Sequence, residues 1–167
     1  NGAPFLSNCG GFTAGTSTFQ YTGNNGSGNT TVRGLTYYHL TLNNGSETYV
    51  LDANTTVNQD LTVTAGTLSL NGFTASITDD LTVDGTLSGT TNVTVTGHVQ
   101  GTGIVNLTGG TFEHRLTLSG NKNFGTTSGS NAWTFSSLTF SNGSGICSGR
   151  TATTQTGGSG GITVSGI

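Results

Sequence analysis

Apolar residues alternate with polar ones in short runs along most of the chain. From Thr48 to Leu118 they pair at a spacing of two, and the pairs are Tyr49 and Leu51, Leu61 and Val63, Leu68 and Leu70, Leu81 and Val83, Val93 and Val95, Val105 and Leu107, and Leu116 and Leu118. Polar turns separate them, at Gly66, Asn71-Gly72, Gly85, Gly97 and Gly109-Gly110. Period-two alternation in short runs predicts β-strands with one buried face.

Part of this pattern repeats after about 20 residues. The string Asp60-Leu61-Thr62-Val63 returns as Asp80-Leu81-Thr82-Val83, and each copy runs on into Gly-Thr-Leu-Ser. A second echo relates Gly34–Glu47 to Ala132–Gly145 at a shift of 98 residues, close to five turns of the shorter repeat. Self-similarity at a short fixed period is typical of a solenoid.

The predicted strands are too short and too closely spaced for helical crossovers, which excludes alternating β-strands and helices. A β-sandwich usually has longer strands and no short repeat. We therefore predict an all-β fold, a single-stranded parallel β-helix (β-solenoid) with about 20 residues per coil. Coils about 4.8 Å apart would give roughly eight coils and a rod about 40 Å long.

The chain divides into three parts on this interpretation. Residues 1–11 lack alternation and form an extended leader or inter-subunit linker, residues 12–161 form the solenoid body, and residues 162–167 form a terminal strand. Within the body, we expect residues 120–131 to be a polar loop because Gly, Ser and Asn dominate them.

Composition narrows the function classes. Charged residues are 7% of the chain, Gly occurs 29 times and the formal net charge is −3. No basic stripe points to nucleic acid, and no apolar run is long enough for a membrane span. Richness in Thr, Gly and Asn with so few charges favours an extracellular or cell-surface protein. Since the chain begins at Asn1, we expect a mature product or a piece of something longer.

The segments Gly34–Phe73 and Asn131–Gly145 resemble the repeats of large bacterial secreted β-helix proteins. These are adhesin-like and autotransporter-passenger-like surface proteins of the filamentous-haemagglutinin kind. The resemblance covers roughly residues 12–167 and rests on composition. It implies a parallel β-helix, export, and a structural or adhesive role, and it assigns no functional residue.

The ends of a β-solenoid expose unpaired backbone groups, which natural solenoids cover with caps. Neither terminus carries an amphipathic helix that could serve as one. We expect the terminal strand, with Ile162, Val164 and Ile167, to complete the sheet of a neighbouring subunit.

Cys9 and Cys147 lie about seven coils apart in the predicted rod, further than a disulfide can reach directly. Three arrangements remain open. The leader runs back along the rod and bridges within the chain, the two cysteines join successive subunits, or no bridge forms.

A polysaccharide-active enzyme requires carboxylates clustered with Arg, Lys or His on one face. The carboxylates here are Glu47, Asp52, Asp60, Asp79, Asp80, Asp84 and Glu113. Asp60 and Asp80 are one repeat apart, so we expect them to stack on adjacent coils. Asp79, Asp80 and Asp84 are interpreted as turn-forming residues, with a calcium ion at a coil edge as the alternative.

Glu113-His114-Arg115 is the densest charged cluster, and we interpret it as a polar turn or interface patch. We predict no catalytic residue, metal or cofactor. Sequons for N-glycosylation begin at Asn25, Asn29, Asn44, Asn54, Asn92, Asn106 and Asn142, although a chain this rich in Ser and Thr contains several by chance.

The sequence thus favours a structural subunit of an extracellular filament or surface fibre, whose partners are identical subunits joined end to end. An adhesive or carbohydrate-binding stalk segment, with surface glycans as ligands, is the first alternative. A polysaccharide-active β-helix enzyme is the second.

Overall fold

The computed structural model describes residues 12–23, 26, 28–116, 121–126, 131, 133–142, 152–154 and 162–164. These residues form strands and connections without a helix, so none of them belongs to a helix that could span a membrane. The strands are β1 Thr18–Tyr21, β2 Asn29–Val32, β3 Thr36–Tyr37, β4 His39–Leu51, β5 Thr55–Val57, β6 Leu61–Ser69, β7 Ala75–Ile77, β8 Leu81–Val83, β9 Thr86–Gly89, β10 Val93–Val95, β11 Val99–Gly101, β12 Ile104–Arg115, β13 Lys122–Thr126, β14 Trp133–Ser141, β15 Ala152–Thr154 and β16 Ile162–Val164.

All these strands pair in parallel and stack on three faces. Face A stacks β1, the first parts of β4 and β6, β8, β11, β13 and β15. Face B stacks β2, the last parts of β4 and β6, β9, the first parts of β12 and β14, and β16. Face C stacks β3, β5, β7, β10 and the last parts of β12 and β14. One strand from each face makes a rung, and the predicted β-solenoid is confirmed.

The repeat of about 20 residues is also the structural period. Leu61 pairs with Leu81 on face A, and Leu68 pairs with Leu87 on face B. The similarity at a shift of 98 residues is not a structural period. Leu40 of the first copy lies on face A, whereas the equivalent Leu138 of the second copy lies on face C. A strand followed by a polar corner occurs on every face, so two such units resemble each other without being stacked.

Coil length changes along the rod. Paired residues on successive rungs up to β12 are 18 to 22 residues apart, whereas the offset is 25 residues from Val99 to Phe124 and 30 from Lys122 to Ala152. Faces A and B of the described stack therefore have seven strands each, fewer than the eight coils that a uniform 20-residue period implies.

The predicted loop at residues 120–131 is wrong in its middle part. Lys122–Thr126 is strand β13, paired with β11 and β15, and Phe124 is completely buried. A single aromatic residue among polar neighbours shows no alternation, so its burial is fixed by stacking on Val99 rather than by a local pattern.

The core is a set of inward-facing columns that run along the rod. All the paired apolar residues predicted from the sequence are buried, except Leu118, which lies outside the described residues. Leu, Val and Ile fill the middle rungs, while aromatic side chains gather towards both ends. The first aromatic cluster contains Phe12, Phe19, Tyr21 and Tyr37, and the second contains Phe112, Phe124, Trp133, Phe135 and Phe140.

Candidate functional site

The C-terminal end of the stack presents a sheet edge with exposed apolar side chains. β16 pairs with β14 on one side, with Trp133 opposite Ile162 and Phe135 opposite Val164. In the described part of the chain no strand pairs with its other side. Val164 is 47% exposed although it continues the inward column of Phe135, and Phe140 is 37% exposed. One further rung would cover both side chains.

The opposite end is built around tyrosine hydroxyls. The Tyr21 and Tyr37 hydroxyls lie 3.2 Å apart, and Tyr37 donates to the Arg33 carbonyl at 2.8 Å. Burial raises the pKa of both tyrosines, so their hydroxyls remain protonated and available as donors. An open groove of about 290 Å³ beside this cluster is lined by residues 12–15, Thr36 and Asn58.

The corner between faces C and A gathers three carboxylates. Oxygens of Asp60, Asp79 and Asp80 lie within 4.8 Å of one another, and the Asp80 amide donates to Asp60 Oδ1 at 3.2 Å. The predicted stacking of Asp60 and Asp80 is therefore confirmed. Asp84 does not join them, because it follows β8 whereas Asp80 precedes it, and its Oδ1 accepts from Thr102.

Two histidines and Lys122 lie beside this acidic corner. His39 Nδ1 is 3.0 Å from Asp60 Oδ2, and the His98 amide donates to Asp80 Oδ1 at 2.6 Å. Burial, followed by the charges of Asp80 and Asp60, raises the pKa of Asp79, and the charge of Lys122 opposes this shift. Oxygens at this spacing can share a hard divalent cation such as Ca²⁺. Without one, they repel each other.

Glu113-His114-Arg115 lies inside strand β12, so the predicted polar turn is wrong. Glu113 and Arg115 point outward, and the Arg115 guanidinium donates to Glu113 Oε1 at 3.2 Å and to Glu113 Oε2 at 2.6 Å. His114 points inward and is completely buried. The sequence itself indicates a strand here, since Phe112, His114 and Leu116 lie at a spacing of two. A pocket of about 120 Å³ beside Glu113 is lined by Asn92, Thr94, Thr111 and Thr139. It is smaller than the roughly 300–1,000 Å³ of most small-molecule sites.

Two other carboxylates have structural partners. Asp52 accepts from Arg33 at 2.6 Å and from the Gly34 amide at 2.7 Å. Glu47 is buried at the corner between faces A and B, where its Oε2 accepts from the Thr30 hydroxyl at 2.7 Å. Sequence reasoning missed its burial because Glu47 follows a turn-like Asn-Gly-Ser stretch.

Several predicted sites lie outside the described residues, namely residues 1–11 with Cys9, and also Asn25, Cys147 and Ile167. Of the remaining sequons, Asn29, Asn54, Asn92 and Asn106 are exposed, and Asn44 and Asn142 are half-buried. Asn54 and Asn92 each accept a hydrogen bond on Oδ1 from a backbone amide of the next rung. The donors are Thr74 at 2.9 Å and Thr111 at 2.8 Å, respectively. Glycosylation and disulfide formation stay predictions.

No protein-family model, curated protein or solved structure matches this chain.

Proposed function

We propose that the chain is a structural subunit of an extracellular filament or surface fibre, assembled head to tail. The observation that carries this proposal is the C-terminal edge, where β16 continues the inward column of Phe135 but leaves Val164 47% exposed. An exposed strand edge with an apolar column behind it is a template for another strand.

Parallel stacking supports a head-to-tail arrangement. Every rung repeats the strand direction of the rung before it, so a second copy can add its first rung to β16 by translation along the axis. Contact between two different ends does not close on itself and continues into a filament. A side-to-side dimer would leave this edge uncovered.

The sides of the rod support an extracellular role. The described strands of face B contain no charged residue, and Thr and Ser make up most of their outward positions. Exposed sequons at Asn54, Asn92 and Asn106 provide positions for glycans on faces B and C.

A charge at the terminal strand should prevent assembly. We expect the wild-type protein to form linear polymers whose subunit repeat is at least roughly 34 Å, from seven rungs about 4.8 Å apart. Val164→Lys should yield short rods, because a charged side chain on an edge strand opposes pairing. Electron microscopy and light scattering under oxidising conditions measure this difference.

Asn106→Lys is the matched control, since it adds the same charge to the outward side of face B and should leave polymerisation intact. Short monodisperse rods from the wild-type protein would refute the filament. Equal polymerisation of Val164→Lys would place the contact elsewhere.

A second candidate, a polysaccharide-active enzyme, is favoured by the corner that brings Asp60, Asp79 and Asp80 close to His39. Carboxylates beside a histidine are residue types that can serve as acid and base in the cleavage of a polysaccharide. If the filament proposal is right, the protein should release no product from acidic polysaccharides, with or without Ca²⁺. Product formation that disappears in Asp80→Asn but persists in Asp84→Asn would establish the enzyme instead.

A further inference from the structure

His114 is the exception in an inward column of aliphatic and aromatic side chains. On face C the inward positions are occupied in turn by Tyr37, Val57, Ile77, Val95, His114 and Phe140. The imidazole is completely buried and packs against two rings, with centroid distances of 5.4 Å to Phe124 and 5.7 Å to Phe140. A titratable group therefore lies within the second aromatic cluster.

Hydrogen bonding fixes the neutral form of this imidazole. Its Nε2 lies 2.7 Å from the Gly97 carbonyl oxygen, which can only accept, so Nε2 carries the proton and donates. Its Nδ1 is buried and has no hydrogen-bond partner among the described residues. A second proton would have to be placed on Nδ1, where no acceptor receives it.

We propose that His114 is an acid-sensitive switch, and that its protonation loosens the packing of β13 and β14 on β12 while the N-terminal rungs stay folded. Burying a cation without a counter-ion is strongly unfavourable, even after relaxation of the surroundings. Stacking on the Phe124 ring offsets only part of this cost. The charged form is therefore favoured only when the cluster opens to water.

Among the residues that the structure describes, no neighbouring group supplies the missing negative charge. On β12 itself, Glu113 points outward and is already paired with Arg115. Strands β10 and β14 contain no charged residue. The groups that face the imidazole from face A are His98, just before β11, and Lys122 on β13, and both are cationic when charged.

The pKa of His114 is consequently lowered, first by burial and then by the charges of His98 and Lys122, against the opposing hydrogen bond to Gly97. The unfolded imidazole titrates near its ordinary value of 6.5. The opened state binds more protons than the closed state below that value. The contribution of His114 to the stability of these rungs is therefore constant above about pH 6.5 and declines as the pH falls towards the folded pKa.

The response should remain local, because rungs of a solenoid contact only their neighbours. Trp133, the single Trp of the chain, lies on β14, so its fluorescence reports on the opening of these rungs. It is buried, its ring centroid is 5.9 Å from that of Phe124, and its Nε1 donates to the Gly103 carbonyl at 3.1 Å.

The experiment is a pH titration from 8 to 5 of Trp133 emission and of amide hydrogen exchange, corrected for intrinsic exchange rates. We expect the emission to shift to the red below pH 6.5. The opening constant of β12–β14 should rise by up to about tenfold per pH unit, since one proton is linked to opening. Protection of β6 to β8 should be unchanged.

His114→Gln removes the titration but keeps a donor for the Gly97 carbonyl, and it should abolish the acid response. His114→Phe tests the same point with an apolar ring if the Gln variant folds poorly. His98→Asn is the control, since an Asn Oδ1 can still accept from the Asn123 amide, and it should retain the response. A wild-type protein that shows no change down to pH 5, or a His114→Gln variant with the wild-type profile, would overturn the proposal. The inference concerns the fold and stands whether or not subunits join.

Discussion

Replacing Phe124 with Ala should lower the free energy of unfolding of the C-terminal rungs by about 3–5 kcal/mol, the range found for deletion of a buried aromatic ring. Phe124 is completely buried on face A. Its ring contacts those of Phe112, His114, Trp133, Phe135 and Phe140, with centroid distances from 5.1 to 5.9 Å. These rings come from faces A, B and C, so the cavity left by Ala would separate face A from the other two faces.

Denaturant unfolding followed by Trp133 emission measures this loss. Phe73→Ala makes the same chemical change at a half-buried position beside the core and should cost about 1 kcal/mol. A Phe124→Ala variant as stable as Phe73→Ala would mean that β13 does not stack on β11. Because rungs unfold locally, we expect the midpoint to fall more for Trp133 emission than for total strand content.

How much of this fold the sequence predicts depends on whether the local pattern carries the information. Leu61 and Leu81 are predictable, because alternation places them inward and the repeat places one above the other. Phe124 is not, because no neighbour alternates with it and the coil that contains it is longer than the others. His114 lies between these cases, since alternation puts it inward but its polarity argues for the surface.

The candidate sites, too, are predictable only where the local sequence pattern determines their position. The repeat predicts that Asp60 and Asp80 stack, and they do. It does not predict that His39 lies beside Asp60, because that contact depends on the position at which the chain leaves face C and enters face A. The apolar C-terminal edge was expected from the sequence of the last strand, yet the exposure of Phe140 follows only from the stacking of β14 on β12.

Glycines explain why the corner between faces A and B can repeat so closely. Gly66, Gly85 and Gly103 stack in one column there. A Cβ on Gly85 would overlap the Gly66 carbonyl oxygen, and a Cβ on Gly103 would overlap that of Gly85. The repeated Gly-Thr-Leu-Ser string marks the first two positions, and Gly103-Ile104 is the third occurrence in weaker form. These glycines are needed for the close approach of successive rungs, and not only for a turn.

Gly103→Ala should therefore lower the free energy of unfolding by about 2–3 kcal/mol, at the upper end of the cost of overpacking. Two hydrogen bonds hold this corner in place, from the Gly103 amide to Val83 at 2.8 Å and from the Ile104 amide to Gly85 at 2.9 Å. The obstacle is backbone of the preceding rung, so no side-chain rotation can relieve the overlap. The Gly103 conformation is itself open to Ala, because its φ is not in the left-handed region.

Gly45→Ala is the matched control, since a Cβ there meets nothing within 4 Å and φ is again outside the left-handed region. It should change stability by no more than about 0.5 kcal/mol, as surface substitutions usually do. Thermal and denaturant unfolding of both variants, followed by Trp133 emission, provide the comparison. If Gly103→Ala were as stable as Gly45→Ala, successive rungs would not approach at this corner, and the glycine column would be a property of composition rather than of packing.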